Sequence, residues 1–284
     1  MLGQLIVTGV LVGSVYSLVA VGLTLIWGLM DIINFAHGDF MMMSMYIVFW
    51  LYALLKWDPL ISLFIAAIVT ALIAILSYRL VIKRVVNAPG LMALLATFGL
   101  SLFIRNLAQF LWSPNYRFVG ESILSGKRFI IFNVVIGLPQ LVAAFGSIVM
   151  TLAVAMFIKK TKFGKAIQAT AQSKDVAELM GVDTEKVYMF TFALSGVCVG
   201  VAGTLLSGIF PVYPESGAMY GLLAFVIVAL GGFGNIWGAF YAGIMIGLAE
   251  TIGGFYLGTQ FKYAIAFLIY LLVLQFRPKG LFGW

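Results

Sequence analysis

Charge is scarce in this sequence: only 10% of its 284 residues are Asp, Glu, Lys or Arg, while 63% are hydrophobic. A water-soluble domain is roughly a quarter charged, so no soluble fold would hide this much apolar surface. Cysteine and histidine are almost missing too. Cys198 and His37 are the single examples of each, which excludes a disulfide within the chain and removes Cys/His metal clusters. A membrane enzyme would need paired nucleophiles, bases or metal ligands, and this inventory does not supply them. No basic n-region opens the chain, because the first Lys or Arg is Lys56. The first apolar run is therefore expected to stay as a membrane span rather than act as a secretory signal. The net charge of +7 does not point to nucleic acid, since the basic residues are scattered at segment ends without interleaved aromatics. Anionic lipid and retention on the cytoplasmic side account for them better.

What is present is apolar sequence in blocks. A helix crossing ~30 Å of hydrocarbon needs roughly 20 apolar residues, and runs of about that size fall at 5–27, 40–55, 60–82, 91–112, 134–158, 187–210, 222–249 and 258–276. They lack the alternating period of barrel strands, and lipid offers no partner to a backbone N–H or C=O, so each is read as helix. The fold class is an all-α polytopic membrane protein with about eight hydrophobic segments, forming one membrane domain over 1–284. Glycine pairs at Gly9/Gly13, Gly196/Gly200 and Gly243/Gly247 place two small residues on one helix face and predict close helix packing.

Polar residues concentrate in a loop at about 159–186, with Lys159, Lys160, Lys162, Lys165, Lys174 and Lys186 against Asp175, Glu178, Asp183 and Glu185. The lysine excess places that loop in the cytoplasm, together with Arg79, Lys83 and Arg84. Counting simple spans outward then leaves the basic C-terminus, with Arg277 and Lys279, on the wrong side. A broken or re-entrant segment within 222–249 would restore it, and Gly231, Gly232, Gly234 and Asn235 interrupt that run.

Three short segments carry chemistry. The stretch GLMDIINFAHGDF at 28–40 brings Asp31, Asn34, His37, Gly38 and Asp39 between two apolar runs; Asp39 or Gly38 is expected to cap the following helix. The stretch GGFGNIWGA at 231–239 breaks a run near its middle. Discontinuous or re-entrant helices are thus expected near 28–39 and 231–238, and a pair of such interruptions often marks a transport route. In AIQATAQSKDVAELMG at 166–181, Ser173 suits an N-cap, Asp175 the first turn and Gly181 a left-handed stop, which predicts a two-turn helix. Val176, Leu179 and Met180 share its apolar face. Arg105, inside the fourth run, is expected to snorkel to the interface, and Glu250 to sit at an interface.

These segments, with RPKGLFG at 277–283, resemble the permease subunit of a bacterial branched-chain amino acid ABC importer, in particular the first of its two related permeases, over nearly the whole chain. The resemblance implies half of a translocation pore in the bacterial cytoplasmic (inner) membrane. It implies as partners a second related permease, two cytoplasmic ATPase subunits and a periplasmic or lipid-anchored substrate-binding protein. Ala171, Ala177, Gly181 and Val182 match the loop that docks into the ATPase, so Ser173, Asp175, Glu178 and Leu179 would belong to its coupling helix; the loop departs from the lone-glutamate form of the ABC permease motif. Asn34, His37, Gly38, Asp39, Gly231, Gly232, Gly234 and Asn235 are the candidates for the route.

No catalytic residue, metal site or cofactor is expected on this chain; ATP and Mg are expected on the partner subunits. The nearest approach to a phosphate-binding loop, at 120–127, has one residue too many between its glycines and Arg128 where Ser or Thr is needed. Permeases for urea and short-chain amides are closely similar, so the substrate stays open between these and hydrophobic amino acids. A cation-coupled secondary transporter using Asp31, His37, Asp39 or Glu250 is disfavoured, because those groups stand at segment ends rather than at the midplane.

Overall fold

The computed structural model describes residues 1–120, 122–131 and 134–283; Glu121, within the phosphate-loop approximation, lies outside them. Among the described residues eight helices are long and apolar enough to cross a membrane: α1 (Leu2–Met30), α2 (His37–Leu55), α3 (Pro59–Ser77), α5 (Gly90–Trp112), α6 (Leu138–Lys160), α9 (Thr184–Ser207), α11 (Ile236–Leu257) and α12 (Lys262–Phe276). The third span continues through a π turn at Tyr78–Ile82 into α4 (Lys83–Val85), and a 3-10 turn at Thr259–Phe261 leads into α12. Shorter elements are α7 (Lys162–Gln172), α8 (Lys174–Leu179), α10 (Ser216–Gly231) and the antiparallel hairpin β1 (Arg128–Ile131) with β2 (Val134–Gly137).

The all-α polytopic expectation holds, with two corrections to the runs. The run 134–158 is not one helix: β2 occupies its start, and α6 begins at Leu138 with Pro139 in the first turn, where a missing N–H costs nothing. The run 222–249 is two helices, α10 and α11, separated by Gly232–Asn235, and α10 begins six residues earlier than the run. The break lies where it was expected, and it adds a shorter apolar helix, α10, to the eight candidate spans. The C-terminal tail returns to the end of the bundle that carries the lysine-rich loop, where Leu281 N donates to Leu230 O at 2.7 Å.

Two helices are buried on all sides. From Gly13 to Ile26 α1 is enclosed, and the second half of α9 from Cys198 to Ser207 is likewise, as expected of helices apolar around their whole circumference. Glycine lets them sit that deep. A Cβ on Gly13 would lie 2.8 Å from Gly243 O and from Ile244 Cα, and one on Gly9 2.9 Å from Leu248 Cα; Gly247 faces Gly9 and Gly13 in return. On α9, Cβ atoms added to Gly196 and Gly200 would lie 2.8 and 2.7 Å from the Cα atoms of Ala71 and Ala67 on α3. All three glycine pairs thus serve close packing, the main source of helix association where lipid competes for apolar contact.

At the opposite end from the lysines, Asp58 caps α3 by accepting from Leu60 N at 2.9 Å, while its other oxygen accepts from Ile123 N at 2.7 Å and Ser122 Oγ at 3.0 Å. Glu250 is buried within the bundle. Its Oε1 stands 3.1 Å from Lys262 Nζ, which ties α11 to α12, and Tyr16 OH approaches it at 3.5 Å.

Candidate functional site

After Met30 the chain turns back into the bundle instead of entering water. Asp31 adopts φ 53°, its N–H still bonded to Trp27 O, and residues 31–36 climb beside α1 until α2 starts at His37. His37 Nε2 lies 2.8 Å from Val19 O and its Nδ1 3.3 Å from Ser195 Oγ. Val19 is about 16 Å from the Met30 end of α1, at 1.5 Å per residue, so α2 begins at depth. His37 is fully buried and pins α1, α2 and α9 together.

The expected caps are not formed. Asp39 leaves the α2 N-terminus without a side-chain cap; Asn34 Oδ1 accepts instead from Ala36 N at 3.2 Å. Asp39 turns toward Arg105, whose Nε and Nη2 each stand 3.5 Å from Asp39 Oδ1. Arg105 also donates to Ser101 Oγ at 3.1 Å and lies 3.5 Å from Glu215 Oε2. Snorkelling is therefore not what Arg105 does: buried carboxylate draws it inward, because an unpaired charge in low dielectric costs several kcal/mol. Ser101 stands four residues before Arg105, the same helical face; that spacing, and a lone cation inside an apolar run, were the only signals for this cluster in the sequence. Glu215 had none.

Asp39 is fully buried because α10 also starts here. Gly38 packs so closely on the backbone of Gly217 and Gly221 that a Cβ on Gly38 would overlap both, and the bare Gly217 leaves room for the Asp39 carboxylate. The first turns of α2 and α10 thus meet inside the bundle, each with the free N–H groups and positive field of a helix start.

The second interruption lies elsewhere. Gly231 packs against Gly238, Gly232 (φ 96°) against Gly283, and Gly234 (φ 78°) against Gly28, while Trp27 stacks on Phe233 with centroids 4.2 Å apart. Asn235 caps α11 through Gly238 N at 3.0 Å and donates from Nδ2 to Phe282 O at 3.0 Å. The two interruptions meet at Gly28, which packs on Gly234; His37 faces α1 and α9, and Asp39 faces α5 and α10. Gly234 and Asn235 line a crevice of about 530 Å³ that opens at the lysine-rich end among Thr24, Lys159, Gln168 and Ala171.

In the charged loop, α7 is an unanticipated helix capped by Thr161, whose Oγ1 accepts from Gly164 N at 2.9 Å. The two-turn helix is α8: Ser173 Oγ accepts from Val176 N, and Gly181 has φ 82°. Ala177 is buried, and Val182 N donates to Ala177 O at 3.0 Å. Glu178 accepts from Thr184 Oγ1 at 2.6 Å, and Lys174 Nζ donates to Asn87 Oδ1 at 3.0 Å, so α8 is fastened to both α9 and the α4–α5 link. Leu179 and Met180 are 86% and 80% exposed, beside a 57% exposed Val176. Fastened in place with its apolar side chains exposed, α8 can offer them to a partner protein or to the membrane surface. Asp183 caps α9 through Lys186 N at 3.0 Å and pairs with Lys186 Nζ at 2.8 Å, and these contacts with Lys186 hold its carboxyl below the usual carboxylate range.

Over residues 5–274 the sequence matches the family described as the permease component of branched-chain amino acid transport systems. The chain belongs to that family. This permease is 33% identical to the high-affinity branched-chain amino acid transport system permease protein LivH of Salmonella typhimurium, over 99% of this chain and 95% of that protein. It is 31% identical to the corresponding protein BraD of Pseudomonas aeruginosa, again over 99% and 95%. With the probable branched-chain amino acid permease LivH of Methanocaldococcus jannaschii it shares 28%, over 99% and 92%. No solved structure matches the permease significantly. Its relatives are transport permeases, and its long apolar helices make it a multi-pass membrane protein.

Proposed function

We propose that this permease forms half of the translocation pore of an ATP-driven importer of branched-chain or similar hydrophobic amino acids. The observation that carries the reading is likeness along the whole length to branched-chain amino acid permeases. The chain lies in the bacterial cytoplasmic membrane with its lysine-rich end inward. A second related permease completes the pore, and a substrate-binding protein delivers cargo from outside. Two ATPase subunits bind ATP and Mg and dock on Val176, Leu179 and Met180 of α8; Ala171, Ser173, Asp175, Ala177, Glu178, Gly181 and Val182 shape that docking loop. Asn34 and Asp39, with His37 and Gly38 holding them, border the route at depth. Gly231, Gly232, Gly234 and Asn235 shape its inner mouth.

Coupling depends on the reversal at Gly181. A β-branched residue there takes on the left-handed penalty of about 1–2 kcal/mol and turns the end of α8 away from α9. In proteoliposomes holding both permeases, the ATPases and the binding protein, Gly181→Val should insert normally yet lose binding-protein-stimulated ATP hydrolysis. Unchanged stimulation removes α8 as the docking element. Absence of ATP-dependent leucine uptake in the wild-type complex removes the transport reading itself.

A further inference from the structure

The junction of α2, α5 and α10 holds two carboxylates against one guanidinium, an excess of one negative charge when all are ionised. Exposure falls from Glu215 at 65% through Arg105 at 16% to Asp39 at 0%, so the cluster forms a short path from surface to core. Its contacts at 3.1–3.5 Å are longer than the 2.7–2.9 Å typical of a charge-assisted bond. Two of its buried atoms, Asp39 Oδ2 and Arg105 Nε, have no hydrogen-bond partner. A network left incomplete in low dielectric is costly, and what is missing here is one donor for Asp39 and one acceptor for Arg105.

A free α-amino acid supplies both from adjacent atoms. We propose that this junction is a transient binding station for the zwitterion, with its ammonium on Asp39 and Glu215 and its carboxylate on Arg105. The guest displaces Arg105 from Asp39 and Glu215, exchanging two loose internal ion pairs for three with the ligand. Because the zwitterion is neutral overall, the charge of the site does not change. The exchange keeps binding weak, as a conduit that must release its cargo requires. Phe98, seven residues before Arg105 on the same face of α5, meets Phe35 edge-on at 5.9 Å and offers the apolar side chain a wall. This assignment rests on the transport reading, and it separates amino acids from neutral amides, which bring neither charge.

Saturation-transfer NMR on the full-length chain in nanodiscs tests it with three probes: leucine, 4-methylpentanoate, which lacks the ammonium, and isoamylamine, which lacks the carboxylate. The wild type should give a leucine signal about fivefold or more above either half-analogue, as expected when two charge-assisted contacts are needed together. Arg105→Gln should abolish the preference of leucine over isoamylamine, and Asp39→Asn that of leucine over 4-methylpentanoate. Should Asp39→Asn fail to fold, the exposed Glu215→Gln carries the same arm: it should weaken leucine and isoamylamine but not 4-methylpentanoate. Equal signals from all three probes on the wild type, or variants that weaken every probe alike, overturn the station. ATP-driven uptake by the assembled complex is scored separately, so the station can fall while the transport reading stands, and the reverse.

Discussion

The contact between α1 and α11 gives a sharp test of the packing argument, because it depends on single hydrogen atoms. In Gly13→Ala the new methyl meets Gly243 O and Ile244 Cα at 2.8 Å, where carbon atoms normally rest at about 3.5–4.0 Å. Both obstacles are backbone, so the helices must part by roughly 1 Å, and a gap of that size forfeits up to about half of the dispersion attraction across the contact. Overpacking of this kind costs about 1–3 kcal/mol, partly offset by the ~0.5–1 kcal/mol that alanine gains over glycine within a helix. The net loss is about 1–2 kcal/mol, or roughly 2–3 °C in Tm for a chain of 284 residues. Cys198 supplies the assay: it is the sole cysteine and fully buried, so a thiol-reactive dye lights up only as the bundle opens. Gly99→Ala on α5 is the control, since nothing lies within 4 Å of its Cβ, and it should melt with or slightly above the wild type. If Gly13→Ala melts together with Gly99→Ala, close packing at the glycine pairs does not hold this bundle together.

Asn235→Ala removes both the α11 cap and the tie to Phe282; a loss of about 1–2 kcal/mol is expected, and protease should reach the C-terminal tail sooner in the folded protein. Acid acts on the cap of α9. Since Lys186 keeps the Asp183 carboxyl below its ordinary range, the contribution of the cap is complete above the unfolded value near 4 and is lost only as pH falls through the lowered folded value. Protection of the Lys186 amide, its exchange relative to the intrinsic rate at the same pH, should therefore persist through mildly acidic pH in the wild type and be lost at all pH in Asp183→Ala.

Much of this architecture was legible because lipid imposes strong rules: apolar length marks a span, lysine marks a side, and glycine pairs mark a contact. The parity of basic residues even located the broken run, and Ser173 and Gly181 located α8 to the residue. What escaped was long-range. Nothing near Glu215 in the sequence announces that α10 begins inside the bundle, and nothing near Asp39 says that its partner is 66 residues away in Arg105. Local rules predicted a cap for Asp39 and snorkelling for Arg105, and each is correct for an isolated helix. A buried opposite charge outweighs both, because pairing in low dielectric is worth more than a cap of about 1 kcal/mol.

The same geometry joins the lysine-rich loop to the buried cluster by a short sequence of contacts. Glu178 on α8 holds Thr184 at the start of α9; Ser195, three turns further along α9, meets His37; and His37 stands two residues before Asp39 in the first turn of α2. Helices are stiff along their axes, so an axial shift of α9 driven from α8 reaches Ser195 undiminished. It must then either stretch the His37 contact beyond hydrogen-bonding range or carry the first turn of α2 with it. Gly203, where an added Cβ would lie 2.7 Å from Met41 O, and Ser44, which donates to Gly200 O at 2.7 Å, favour the second outcome, since α9 also grips α2 above the histidine. Arg105 stands on α5, which packs against α2 and the π turn that ends the third span rather than against α9. Relative motion of α9 and α5 is therefore concentrated where the two meet through α2, at the long contacts between Asp39 and Arg105.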